Sequence, residues 1–270
     1  MPDSQAEIRY LRPGQERPVY YASQGGADAA IRVGAEFDEH CVTVRDVRLL
    51  KEHPGLQKQG FCLVQHTTDI EDFYQLESIK AQYEREISEM VLTVSGGSKA
   101  LVFDHTLRSD SAAVRGQRTT REPASVIHND YTDQSAAKRL RDLLPADEAS
   151  RRLANRFAIV NVWRPVNNPA INSPLALCDY SSCEAADFVA CERRAADRIG
   201  ELELVSYNQN HRWYYVSALQ PDEVLLIKTF DSIEDGSARR VAHTAFDNPL
   251  ATADDPPRES IESRMLVFYD

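Results

Sequence analysis

Three groups of residues in this chain are of types and spacings that could do chemistry together. The first is His128-Asn129-Asp130, which follows the apolar run Ala124-Ser125-Val126-Ile127. Side chains two residues apart on a strand share a face, so the imidazole and the carboxylate point the same way. They offer two of the three ligands of a 2-His-1-carboxylate site, the arrangement that holds non-haem Fe(II) with open positions. The second group is the pair of downstream histidines that could complete it, His211 in Asn210-His211-Arg212-Trp213-Tyr214-Tyr215 and His243 in Val241-Ala242-His243-Thr244-Ala245-Phe246. The third is Arg258-Glu259-Ser260, which opens the last apolar strand. The same period of two places its guanidinium and hydroxyl on one face, where the guanidinium is a bidentate partner for a carboxylate. The order H-x-D, distal His, R-x-S favours His243 as third ligand and leaves His211 as a hydrogen-bonding group close to the pocket.

The elements that must position these residues change character along the chain. Residues 1 to 30 read as an extended, partly irregular lead-in. Strands are expected at Cys41 to Val47 and Gly60 to His66, and then a long helix from an N-cap at Asp69 to about Val94, ended by Gly96-Gly97. From residue 98 the period becomes two. Candidate strands are Lys99 to Asp104, Ala124 to His128, Phe157 to Arg164, Leu175 to Cys178, Glu201 to Tyr207, Trp213 to Ser217, Val224 to Phe230, Val241 to Ala245 and Ser260 to Phe268. Helices are expected over about Asp133 to Leu144, from Ala146, and over roughly Glu184 to Ala195. The fold class is therefore mainly β (α+β), a double-sheet jelly roll or barrel with flanking helices. The chain reads as one domain, 1–270, with residues 1–97 as an N-terminal α/β cap integral to it.

Composition removes several function classes. At 270 residues the chain can bury a sizeable core without disulfides or a structural metal. A net charge of −11 leaves no basic footprint for nucleic acid or an anionic membrane surface. The N-terminal residues lack a signal-peptide pattern, and no apolar run is long enough to span a bilayer. Five cysteines without a C-x-x-C read as reduced thiols in a cytoplasmic protein, and Cys178, Cys183 and Cys191 as buried free thiols. The N-terminal strands and the long helix offer a surface on which a homodimer could form.

With these groups in view, the chain resembles the Fe(II)/2-oxoglutarate-dependent oxygenases. The segments His128-Asn129-Asp130-Tyr131-Thr132, Asn161-Val162-Trp163-Arg164-Pro165, His211-Arg212-Trp213-Tyr214-Tyr215, Lys228-Thr229-Phe230-Asp231-Ser232, His243-Thr244-Ala245-Phe246 and Arg258-Glu259-Ser260-Ile261-Glu262-Ser263-Arg264 narrow the likeness. Together they look like the CmcJ/NvfI-type, gibberellin-desaturase-like oxidoreductases of natural-product pathways. The resemblance implies a double-stranded β-helix in which His128, Asp130 and His243 ligate Fe(II). It also implies that Arg258, assisted by Ser260, pairs with the distal carboxylate of 2-oxoglutarate, and that O2 is the second co-substrate. The implied reaction oxidises a small, largely apolar natural product by hydroxylation, desaturation, cyclisation or endoperoxide formation. The segment between His243 and Arg258 is longer than usual in the wider superfamily and contains Pro249, Pro256 and Pro257. That reads as a loop insertion and keeps Arg164 as an alternative carboxylate anchor. Asn161 could bond 2-oxoglutarate or substrate, or be a structural amide. Tyr131, His211, Trp213 and Tyr215 could line the substrate cavity, although strand aromatics are more often simply core. Glu262 and Arg264 read as a surface pair. Two rivals stand beside this reading, a metal-dependent isomerase on the same fold and a non-catalytic cupin-like binding protein.

Overall fold

A computed structural model describes residues 3–196 and 198–269. The first third of the chain runs β1 (Ser4–Leu11), β2 (Val19–Tyr21), β3 (Arg32–Gly34), β4 (Phe37–Asp46), β5 (Phe61–Gln65) and α1 (Leu76–Ser95). There follow β6 (Lys99–Ser109), α2 (Ala112–Arg118), β7 (His128–Asn129), α3 (Asp133–Leu143), α4 (Ala146–Leu153), β8 (Phe157–Pro165) and β9 (Leu175–Cys178). The chain closes with β10 (Phe188–Arg194), β11 (Ile199–Val205), β12 (Trp213–Tyr215), β13 (Glu223–Asp231), β14 (His243–Ala245) and β15 (Glu259–Phe268). The strands form two sheets, a large one ordered β1-β4-β12-β9-β14-β7-β11-β10-β2-β3 and a small one ordered β5-β13-β8-β15-β6. This is the expected jelly roll, two facing sheets with helices outside.

The alternation along each strand says which residues face the space between the sheets. Leu175 and Leu177 of the large sheet, with Val241 just before β14, pack with Trp163, Leu225 and Ile227 of the small one. Their neighbours in sequence point outward. Ala176, Cys178 and Ala242 meet Ala6, Ile8 and Tyr10 of β1, which cover the back of the large sheet. The back of the small sheet is covered by α1, which buries Tyr83, Ile87, Met90 and Val91 against Val160, Val162, Ile261, Met265 and Val267. The spacing of those helix residues keeps them on one stripe. α3 and α4 close one end through Ala136, Leu140 and Ala149 against Phe157, Ile159, Phe230 and Leu266.

Three expectations about elements need correction. Residues 184–195 are not a helix; after a short 3-10 turn they form β10, which pairs with β11 from Phe188↔Val205 to Arg194↔Ile199. Alanine-rich local propensity favoured a helix, and long-range pairing with β11 overrides it. α1 begins at Leu76 rather than near Asp69, because Asp72 spends its carboxylate on the N–H of Tyr74 in a turn before the helix. Ile70 nevertheless packs beside the α1 face and Phe73 is buried in it. The lead-in is also more regular than its composition suggests, since β1 pairs with β4 over its full length, from Ser4↔Val44 to Leu11↔Phe37.

Gly60 connects the N-terminal loop to β5 with φ +87°, and a Cβ there would lie 2.5 Å from Val241 Cγ2. Both the left-handed backbone and the close approach require glycine. Gly60→Ala is expected to destabilise the fold by about 1–3 kcal/mol, read as a lowered urea midpoint with an unchanged m-value.

Candidate metal and co-substrate site

β7 is only two residues long and lies between β14 and β11 in the large sheet, with His128 opposite both His243 and Leu204. Facing residues of an antiparallel pair share a side, so both imidazoles project between the sheets. Their ring centroids are 4.4 Å apart. Asp130 follows on the same side, with Oδ1 3.8 Å from His128 Nε2. One ligand atom from each of His128, Asp130 and His243 lies within 4.8 Å of the others. Asn129 points the other way and donates to Glu203 and to the Tyr131 carbonyl, each at 2.8 Å, which clamps the triplet to β11. Thr132 then caps α3, so the chain leaves the sheet immediately after the carboxylate.

The two histidines are prepared alike. Nδ1 of His128 lies 2.9 Å from the Val126 carbonyl, and Nδ1 of His243 lies 2.9 Å from the Val241 carbonyl. Each contact requires the proton on Nδ1 and leaves the Nε2 lone pair free for a metal. Burial, with His243 adjacent, pushes His128 down to about 3, so it is neutral at physiological pH. Asp130 is held ionised. Burial opposes its charge, but the Arg264 guanidinium, with the hydrogen bond from Asn161, more than offsets that and drives its pKa well below the carboxylate range. Its Oδ2 accepts from Asn161 Nδ2 at 2.6 Å and from Arg264 Nε at 3.1 Å. Two imidazoles with free Nε2 lone pairs and an anionic carboxylate suit Fe(II), and the donor set contains no thiolate that would favour a softer ion.

Glu262 and Arg264 are not a surface pair. They continue the alternation of Arg258 and Ser260 along β15 and face the interior, where Arg264 Nη2 donates to Glu262 at 2.5 Å and Nη1 to Asp104 at 2.7 Å. Glu262 also accepts from Asn161 at 2.9 Å. Asn161 therefore holds two carboxylates, a role its sequence context left open. The signal was available: R-x-S-x-E-x-R reads as four residues on one strand face.

Arg258 is 1% exposed and lies over the Trp163 ring, with its guanidinium carbon 5.1 Å from the ring centroid. Its guanidinium donates to Ser260 Oγ at 3.2 Å and to the Ser173 carbonyl at 2.7 Å, both neutral acceptors. The Arg258 main-chain N–H donates to Asp110 Oδ1 at 2.9 Å. Burial, with Arg108 as a like charge nearby, pushes the Arg258 guanidinium down to about 9.

The remaining candidates lie elsewhere, with one exception. Arg164 is on the opposite side of β8 from Asn161 and Trp163, on the face that α1 covers. It bonds the carbonyls of His66 and Pro221 and lies over the Phe73 ring, so it is not an alternative carboxylate anchor. Trp213 and Tyr215 belong to the core behind the large sheet. His211 sits beside them, bonded to Tyr10 and Asp187 at 3.0 Å each and close to Cys178 and Cys183. None of these three faces the metal site, because pairing of β12 with β9 puts Trp213 on the Cys178 side. Tyr131 does line the pocket that contains His128 and Asp130. Cys178 and Cys183 are neighbours at 3.5 Å, while Cys191 is in a separate core cluster.

Comparison with known proteins agrees with this architecture. Residues 8–268 match a family described as an oxidoreductase/YMDC permease-like domain. The chain is 33% identical over 259 residues to the hydroxylase/desaturase efuI of Hormonema carpetanum, covering 87% of this chain and 85% of that protein. It is 32% identical over 279 residues to the alpha-ketoglutarate-dependent dioxygenase tstK of Talaromyces stipitatus, covering 97% and 96%. The solved structure of the iron and alpha-ketoglutarate-dependent endoperoxidase NvfI matches with a TM-score of 0.85 at 26% identity, covering 99% of this chain and 98% of that one. Fold and site together define a jelly-roll metal oxygenase. The chain belongs to the Fe(II)/2-oxoglutarate-dependent dioxygenases that include these hydroxylase/desaturases.

Asn161→Ala is expected to lower Fe(II) affinity about 10–100-fold in an anaerobic titration, with the circular dichroism spectrum retained. His211→Ala, on the far side of the sheet, should leave iron stoichiometry at the wild-type value.

Proposed function

We propose that this enzyme oxidises a C–H centre of a small secondary metabolite with a largely apolar skeleton, consuming 2-oxoglutarate and O2. His128, Asp130 and His243 hold Fe(II) in this reading, and Arg258 with Ser260 holds the distal carboxylate of 2-oxoglutarate. The observation that carries it is the buried Arg258. A guanidinium removed from water without a carboxylate partner costs several kcal/mol, and that cost falls away when an anionic ligand pairs with it. The neighbouring Ser260 hydroxyl and the flat Trp163 ring hold the fork in one orientation for such a ligand.

When bound, the metal with its two co-substrates supplies the oxidant, and 2-oxoglutarate leaves as succinate and CO2. The chain supplies position and environment. The main-chain carbonyls of Val126 and Val241 orient the imidazoles. Asn161 and Arg264 leave one oxygen of Asp130 free to ligate. Leu177, Val241 and Trp163 belong to one apolar cluster between the sheets. Hydroxylation, desaturation, cyclisation and endoperoxide formation share this machinery and differ in how the substrate lies over it. Among the described residues no helix is long and apolar enough to cross a membrane. The free cysteines support a cytoplasmic location.

Succinate release tests the assignment. His128→Ala and Asp130→Ala should each abolish it, and a variant that still turned over would sink the triad. Arg258→Ala should raise the 2-oxoglutarate requirement by about 100-fold or more, whereas Arg164→Ala should leave it unchanged. An isomerase on this fold would act without forming succinate.

A further inference from the structure

The pocket that contains His128 and Asp130 is more cationic than the protein around it. Its lining has seven basic side chains, six of them arginines, against five acidic ones, in a chain of net charge −11. Most of these charges are already used. Arg264 is spent on Asp130, Glu262 and Asp104. Lys138 pairs with Asp142 at 2.6 Å, and Glu201 accepts from the Thr132 hydroxyl at 2.8 Å. Arg108 donates to the Glu122 carbonyl at 2.8 Å, and Arg139 lies over the Phe103 ring at 4.6 Å.

Arg121 and Arg193 are different. Both are half-buried, and neither side chain has a salt bridge, hydrogen-bond or ring partner among the described residues; Arg198, half-buried in the same lining, has none either and adds to the positive charge there. The first two approach the pocket from opposite walls. Arg121 bridges to Arg108 at the β6 edge of the small sheet, and Arg193 lies on β10 opposite Tyr20 of β2 in the large one. Burial and Arg108 lower the pKa of Arg121, and burial, Arg264 and Arg198 lower that of Arg193, so neighbouring arginines oppose the charge of both. Tyr20, Tyr131 and Leu202 supply an apolar wall in the same pocket. A cation pair on two walls beside apolar surface matches an amphiphilic anion.

We propose that the substrate carries a carboxylate, bound between Arg121 and Arg193, which fixes the position of its hydrocarbon skeleton relative to His128 and Asp130. This inference rests on the metal and co-substrate reading above. It makes the two arginines specificity-determining residues for that reaction. Because 2-oxoglutarate is also a carboxylate, the test separates the two sources.

Metal-free full-length protein is titrated calorimetrically with 2-naphthoate and with methyl 2-naphthoate, which share a skeleton and differ in charge. The acid should bind at least about tenfold more tightly than the ester. Arg121→Gln/Arg193→Gln should abolish that preference, and Arg121→Lys/Arg193→Lys should retain most of it. In parallel, the 2-oxoglutarate concentration giving the half-maximal charge-transfer band with Fe(II) under anaerobic conditions should be the same in wild type and the double Gln variant. Equal binding of acid and ester, or a preference that survives in the Gln variant, overturns the proposal. A shifted 2-oxoglutarate titration also overturns it, by giving the arginines to the co-substrate. The naphthoate measurements need no metal, so absence of the band in wild type is a separate failure, that of the iron reading.

Discussion

Asp130 is a carboxylate buried between two β-sheets, and much of the interior is arranged to keep it charged. Asn161 and Arg264 bond one of its oxygens, Glu262 bonds both of them in turn, and Asp104 takes the remaining side of Arg264. Losing one member of such a network leaves an uncompensated charge, at a cost on the order of 3–5 kcal/mol. The network spans β6, β8, β15 and the segment after β7, so it also couples their registers. Arg264 stands opposite both Asn161 and Asp104. A one-residue slip of β15 would bring Ser263 or Met265 to that place and send Arg264 into the α1 core.

The two faces of each sheet consequently have different tasks. Between the sheets lie the histidines, the charge network and the buried Arg258. Behind the small sheet α1 makes an ordinary apolar core, and behind the large sheet β1 does the same with Trp213, Tyr215 and Phe246. Among the described residues, the largest aromatic groups near the C-terminal strands therefore serve packing rather than substrate contact. Polar chemistry in the interior is tolerated because apolar layers on both outer faces hold the strands in place.

This division explains what was legible in the sequence. The period of two correctly grouped His128 with Asp130, and Arg258 with Ser260, because that grouping is local. Which of two groups faces inward is decided by partners distant in sequence, so the sequence left open whether Trp213, Tyr215 and Arg164 line the site. Glu262 and Arg264 were legible by the same period that linked Arg258 to Ser260, but as a charged pair they resembled solvent-exposed residues. Arg121 and Arg193 had no local signal. They meet only because β2, β6 and β10 converge near the triplet. The helix expected over residues 184–195 failed for the same kind of reason, since pairing with β11 outweighs its alanines.

The histidines differ from Asp130 in what orients them. Each imidazole is held by the carbonyl of the residue two positions before it, a group that every amino acid possesses. No side-chain replacement at Val126 or Val241 can delete that acceptor, so these two ligands are insulated from most genetic change around them. The carboxylate relies on Asn161 and Arg264, whose side chains a single codon change can remove. Drift within such a scaffold would leave the imidazole geometry nearly constant, and evolutionary retuning of the metal's environment would enter through the carboxylate.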